Sequence, residues 1–201
     1  MSLFSGILLA GGASRRFGRQ KLLERIDGAP LFHSPLRALM ATCDEVVVVL
    51  APGAADPPLP RGASNVRLLR DVVAYGGPLA GTYVGLVHVR GAFALLAAGD
   101  MPGLRPELIA LLARQAAAPG RNAVVLGDAD GPRPLPAALR VKAALPLADE
   151  LLRGQERRLR ALVAGLEAQV LPERVWAEVD PSGDWRRDVD LPADLAGAKQ
   201  R

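Results

Sequence analysis

Short apolar runs closed by turn residues recur along this chain, and between them the apolar positions shift to helical spacing. Phe4 to Ala10 is a Leu/Ile-rich run stopped by Gly11 and Gly12, and Glu45 to Ala51 is a run of valines. Both have the make-up of strands buried on both faces of a sheet, where β-branched side chains pack well. Val66 to Leu69, Ala92 to Ala98, Asn122 to Leu126 and a run around Leu135 to Val141 predict further strands, and Ala168 to Val179 predicts one or two more. Helical pieces are predicted at Lys21 to Ile26 and Pro30 to Thr42, around an Asp27-Gly28 turn, with His33 and Arg37 toward solvent. Others follow Pro78 and Pro106, each placed where a first helical turn tolerates proline, and occupy Leu145 to Leu152 and Glu156 to Leu166. In the last, Leu159, Leu162, Val163 and Leu166 fall at i, i+3, i+4 and i+7, a stripe that faces a core. Pro52 to Asn65 holds four prolines and no period, which predicts an irregular surface loop. Asp128-Ala129-Asp130-Gly131 reads as a solvated hairpin turn, since the other positions of a calcium-binding loop are missing.

Strands alternating with helices predict an α/β protein: a doubly wound, mostly parallel sheet within an α/β/α sandwich. At 201 residues the chain suits one such domain, residues 1–201, and is short for two. Hydrophobic residues at 50% and charged residues at 23% exclude a disordered chain. The net charge of +4 suits small anions, and aromatic residues at 4% leave little for stacking on bases, so no nucleic-acid partner is expected. A lone cysteine, Cys43, excludes an internal disulfide and reads as a buried thiol; two histidines, His33 and His88, make no zinc or haem set. The first apolar run lacks a basic leader and flows into glycines, and no run reaches membrane-spanning length, so a cytoplasmic location with no membrane partner is expected.

The candidate chemistry gathers around Ile7 to Lys21. Gly11 and Gly12 follow a strand, lack a Cβ and allow successive backbone amides to face a phosphate chain, and Arg16 and Lys21 add positive charge. Together they read as a nucleoside triphosphate grip. The spacing is not that of a P-loop, because five residues separate Gly12 from Gly18 and Lys21 comes three later. Nor is it a dinucleotide fingerprint, whose glycines are not adjacent, or a nucleophile elbow, which needs glycine where Arg16 stands. The plain alternative is a strand-to-helix turn with solvated arginines. Asp71, past a short strand, is either a ligand contact or a turn carboxylate. Asp100 stands just beyond the carboxyl end of a strand, where open α/β sheets collect ligands, and with Pro102 stiffening the turn it reads as a metal ligand, beside the plain alternative of a helix cap. Asp188 and Asp190 alternate, so on a strand end they point the same way.

Leu9 to Lys21, read as L-A-G-G-x-S-x-R-x-G-x-x-K, resembles the signature loop of the MobA-like nucleotidyltransferases. Tyr75 to Gly81 resembles that family's G-P-L-A-G segment, Gly99 to Pro102 its D-x-P metal turn, and Asp188 to Leu195 its closing N-x-N-T-P-E-D-L. These four motifs, in order, span nearly the whole chain and are closest to the molybdenum cofactor guanylyltransferase branch. The resemblance implies a Rossmann-like sheet of the nucleotide-diphospho-sugar transferase type, with a nucleotide-binding half at 2–50 and a metal and acceptor half at 66–195. It implies transfer of GMP from GTP to molybdopterin with release of pyrophosphate, dependent on Mg²⁺. It further implies nucleotide contacts at Leu9, Ala10, Gly11, Gly12, Lys21, Asp71, Gly77, Pro78, Leu79 and Asp100, catalytic roles for Arg16, Lys21 and Asp100, and metal ligation by Asp100 and Asp190. Other cofactor-biosynthesis proteins or recipient apoenzymes are implied partners.

The chain departs from the family where aspartates 188 and 190 replace an asparagine pair, where Leu191 replaces threonine, and where Val49-Leu50-Ala51-Pro52 offers no side chain to a base edge. Lys21-Leu22-Leu23 and the two aspartates also resemble the cytidylyltransferase branch, which uses CTP. Gly154-Gln155-Glu156-Arg157 resembles a family segment near the acceptor, beside its plain reading as a solvated charged face. A nucleotide-binding cofactor chaperone without catalysis is the alternative from another class; it would keep the grip and lose the metal.

Overall fold

The computed structural model describes residues 3–11, 21–26, 28–71 and 76–187. Its centre is a seven-stranded sheet in the order β5-β4-β1-β6-β8-β7-β9, formed by β1 (Phe4–Ala10), β4 (Glu45–Leu50), β5 (Val66–Arg70), β6 (Phe93–Ala98), β7 (Ala123–Asp128), β8 (Gly131–Arg140) and β9 (Gln169–Leu171). β1 pairs in parallel with β4 and β6, and its Ile7 lies between Val47 and Leu96. β8 runs antiparallel to both its neighbours, because a tight turn at Asp128–Gly131 joins it directly to β7 without a crossover.

Alternate side chains of the buried strands feed two cores. Leu8, Val46, Val48, Leu95 and Ala97 pack with α1 (His33–Met40), α3 (Pro106–Ala116) and α6 (Glu173–Trp176) on one face. Ile7, Val47, Val49, Ala94 and Leu96 pack with α2 (Gly77–His88), α4 (Val141–Arg153) and α5 (Leu159–Gly165) on the other. The fold is the expected α/β/α sandwich, and the strands are apolar on both faces because both are covered.

Several local expectations are corrected. Lys21–Leu23 is a single 3₁₀ turn, and β2 (Arg25–Ile26) then pairs antiparallel with β3 (Ala29–Pro30). The dipeptide Asp27-Gly28 is a hairpin signal, Gly28 has φ +81°, and Arg25 Nη1 donates to the Gly28 carbonyl at 2.8 Å. His33 is buried, not solvent-facing; its Nε2 donates to the Pro58 carbonyl at 2.6 Å. The loop it holds is rich in prolines, which lack N–H groups, so its carbonyls take donors from elsewhere. Arg70 likewise donates through Nε and Nη2 to the Ala54 carbonyl. α4 begins at Val141, directly where β8 ends, earlier than the predicted Leu145. α5 begins at Leu159 and not at Glu156, whose side chain takes up nearby amides. Beyond β9, the segment expected to be strand becomes α6, entered through Pro172, because Trp176 is drawn into the core and its Nε1 donates to the Gly127 carbonyl at 2.7 Å.

A candidate nucleotide and acceptor site at the strand ends

From β1 the chain moves outward to β4 and β5, and then crosses back to β6 on the other flank of β1. The carboxyl ends of β1 and β6 therefore form the crevice where the winding reverses, the usual ligand position in such sheets. Gly11 leaves one strand and Asp100 the other. Gly11 passes so close to the end of β4 that a Cβ would stand 3.1 Å from the Ala51 nitrogen and 3.3 Å from the Leu50 carbonyl carbon. Asp71 is fixed at the same edge by its N–H, which donates to the Leu50 carbonyl at 2.9 Å.

The third part of this edge is the start of α2. Gly77 has φ +84°, a conformation natural to glycine, and Pro78 occupies the first turn. Leu79 is fully buried, and its N–H donates to the Arg157 carbonyl at 3.3 Å. Leu9, Ala10, Gly11, Asp71, Gly77, Pro78, Leu79 and Asp100 thus lie at one end of the sheet. Gly12, Arg16, Asp188 and Asp190 lie outside the described residues, as does the side chain of Lys21.

The turn carrying Asp100 is held from three sides. The Ser34 hydroxyl donates to the Pro102 carbonyl at 2.6 Å, and the Leu104 N–H donates to the Met101 carbonyl. A Cβ at Gly99 would meet Leu22 at 3.1 Å, which puts the neighbour of Lys21 against the neighbour of Asp100. Gly103 leaves room for the backbone of Asp184, so the segment that leads on to Asp188 and Asp190 crosses this turn. Trp185 anchors that segment edge-on to Trp176, with ring centroids 5.5 Å apart.

Beside Asp100 opens a cleft of ≈ 370 Å³, walled by Met101, Leu135 and Trp185, with Arg133 and Arg186 at its polar side. Sequence reasoning missed both arginines. Arg133 lies in β8 upstream of the strand start predicted at Leu135, between two prolines that obscured the strand. It pairs with Asp128 through Nε at 2.7 Å and with Asp130 through Nη2 at 3.0 Å. The acidic turn is therefore an ion-pair cluster and not simply solvated, with the Asp128 side chain only 4% exposed. Burial pushes the Asp128 carboxyl up, but hydrogen bonds from Arg133 and the Asp130 N–H, with the charges of Arg133 and Arg186, outweigh it and hold the carboxyl below its usual range. Among the described residues no three His, Cys, Asp or Glu side chains converge as a metal cluster. The donor chemistry at Asp100 is that of one hard carboxylate facing the ligand crevice, which fits a magnesium ion completed by phosphate oxygens and water.

A crevice at the carboxyl ends of parallel strands, with Gly11 leaving one strand and Asp100 the next, is where a doubly wound sheet takes a ligand. Residues 6–170 match the family model of the MobA-like NTP transferase domain, and the chain belongs to this family. It is 34% identical over 205 residues to a "Probable molybdenum cofactor guanylyltransferase" of Chloroflexus aggregans, covering 96% of this chain and 92% of that one. A protein of the same name from Mycolicibacterium paratuberculosis is 37% identical over 190 residues, covering 90% and 93%. In fold, the chain is similar to the crystal structure of molybdopterin-guanine dinucleotide biosynthesis protein A from Archaeoglobus fulgidus, with a TM-score of 0.79, 22% identity, and 97% and 96% of the two chains covered.

Proposed function

We propose that the protein transfers GMP from GTP to the phosphate of molybdopterin, with release of pyrophosphate. The observation that supports this reading is the ladder bond from the Gly99 N–H to the Leu9 carbonyl, 2.9 Å, next to which Gly11 and Asp100 leave their strands. The names of relatives that match along nearly all of the chain supply the acceptor and the base.

In this reading an oxygen of the acceptor phosphate attacks the α-phosphorus of GTP in line, the bond from the α-phosphorus to the bridging oxygen breaks, and pyrophosphate leaves with those electrons. No protein nucleophile is needed, so the chain supplies position and charge. The amides after Leu9-Ala10, through Gly11 and Gly12, cradle the phosphates, and Arg16 and Lys21 offset their charge. Gly77, Pro78 and Leu79 close over the nucleoside side, and Asp71 takes a polar group of the nucleotide. Asp100, with Asp190, would hold Mg²⁺, which when bound draws electron density from the α-phosphate. The cleft beside Asp100 takes the acceptor, its apolar wall at Met101, Leu135 and Trp185 meeting the pterin and its arginines the acceptor phosphate. Residues 2–50 then serve mainly the nucleotide and 66–195 mainly metal and acceptor. The reaction belongs in the cytoplasm, where cofactor-biosynthesis proteins or recipient apoenzymes would take the product; among the described residues no helix is long and apolar enough to cross a membrane.

Purified protein mixed with molybdopterin, Mg²⁺ and each nucleoside triphosphate tests this directly. Pyrophosphate release with GTP supports it, and release with CTP alone would transfer the protein to the cytidylyl reaction.

A further inference from the structure

The first amides of a helix have no acceptor within it, and a buried helix start must find one elsewhere. At α2 the residue before the helix is Gly76, which has no side chain to cap with, and the Leu79 N–H is instead taken by the Arg157 carbonyl at 3.3 Å. The fit is close: a Cβ on Gly77 would lie 2.9 Å from that carbonyl oxygen and 3.2 Å from the Arg157 Cβ. The cap of this helix therefore comes from the connection between α4 and α5, distant in sequence.

That connection is shaped around Glu156. Gln155 stands at φ +62°, and the Glu156 N–H donates back to the Leu151 carbonyl at 2.9 Å. The Glu156 side chain then closes the turn in the forward direction. Its Oε1 accepts the N–H of Arg157 at 2.8 Å, the N–H of Arg158 at 2.9 Å and Nε of Arg158 at 2.9 Å, while Oε2 accepts Nη2 of Arg158 at 2.7 Å. The peptide unit before Arg157 and the next one, which carries the Arg157 carbonyl itself, are thereby tied to one carboxylate, which fixes where that carbonyl points. The hydrogen bonds from Arg158 and from both amides hold the carboxyl down at about 2, so it is ionised at neutral pH.

We propose that Glu156 is a positioning residue for the nucleotide: by orienting the Arg157 carbonyl it caps α2 and holds Gly77-Pro78-Leu79 in the site. This rests on the reading of residues 77–79 as nucleotide contacts. Glu156 itself touches no substrate in this account. Its effect falls on binding, and it differs from a role confined to the start of α5, which would loosen that helix alone.

The test is amide hydrogen exchange and steady-state kinetics on the full chain with Glu156→Ala and Glu156→Gln. In Glu156→Ala the Leu79 amide is expected to exchange about tenfold faster, while the amides of β1 are unchanged. KM for GTP is expected to rise about five- to tenfold with kcat within about twofold, the signature of lost positioning and not of lost chemistry. Glu156→Gln keeps an oxygen for the two amides but loses the charge and the acceptor for Arg158 Nη2, so it should recover part of both effects and guards against a misfolded alanine variant. Unchanged exchange at Leu79 in both variants, with changes confined to Ala161 and Leu162 of α5, would overturn the proposal. So would faster exchange at Leu79 with unchanged KM for GTP. A wild-type protein that ignores GTP would remove the proposed reaction, and exchange at Leu79 would still decide by itself whether Glu156 sets the cap.

Discussion

The backbone N–H of Gly99 donates to the carbonyl of Leu9 at 2.9 Å, extending the β1–β6 pairing to the point where both strands end. Each partner leads within two residues into a feature of the proposed chemistry: Leu9 into Gly11, Gly99 into Asp100. The placement of Gly11 relative to Asp100 thus follows from the pairing of β1 with β6.

Asp100→Asn keeps the size of the side chain and removes its charge. Turnover should fall at least ~10²-fold, as on losing one preorganised electrostatic group. GTP binding without metal should hardly change. Asp190→Asn should be milder and Asp188→Asn mildest, measured as kcat across a magnesium titration; equal damage at positions 100 and 190 would contradict the assigned ligand set.

Gly77→Ala places a Cβ at φ +84° and against the Arg157 carbonyl. The strained conformation should cost about 1 kcal/mol or more in denaturant unfolding. KM for GTP should rise with it, because the start of α2 must shift to relieve the contact.

Arg133→Ala removes the cation that pairs with Asp128 and Asp130. A nearly buried carboxylate is left without its main partner, so stability at neutral pH should fall by about 1 kcal/mol, with Arg133 discounted for its exposure. Because the Asp128 carboxyl is held below its ordinary range, its contribution is full above the ordinary carboxylate pKa and is lost as pH falls through the lowered one. The acid limb of the wild-type stability curve should therefore be steeper than that of the variant. KM for molybdopterin should also rise, with KM for GTP little affected.

Much of the site was legible from residues alone because its parts are local: a glycine pair after an apolar run, an aspartate before a proline, a proline two residues after Gly76. The sheet was legible for a similar reason, since runs such as Glu45 to Leu50 are apolar on both faces. What escaped depends on contacts distant in sequence. His33 is buried against the proline loop, where it donates to the Pro58 carbonyl, and the Arg157 carbonyl meets the Leu79 N–H from far along the chain. The strand β8 was read short because Pro132, Pro134 and Pro136 interrupt it, which hid Arg133 from the list of candidates. Trp176 turned an expected strand into a helix by seeking a core position and the Gly127 carbonyl.

Cys43 offers a check on the core independent of activity. Burial first, then the charges of Asp44 and Glu45, pushes its thiol up to about 12. Since the folded value lies above the unfolded one, the neutral thiol favours the folded state fully below the unfolded pKa, and this contribution fades as pH rises toward the folded value. At pH 8 the native protein should not react with a thiol reagent over an hour, whereas the protein in denaturant should react completely.

The most direct measurement of the central claim is pyrophosphate release in a single-turnover mixture of protein, molybdopterin, Mg²⁺ and one nucleoside triphosphate at a time, with the dinucleotide product identified by mass. The account predicts one pyrophosphate per guanine dinucleotide formed with GTP, no release without molybdopterin, and formation of both products at least ~10²-fold slower in Asp100→Asn. Binding of GTP without any pyrophosphate release in the complete mixture would contradict it and leave a nucleotide-binding protein without transfer chemistry.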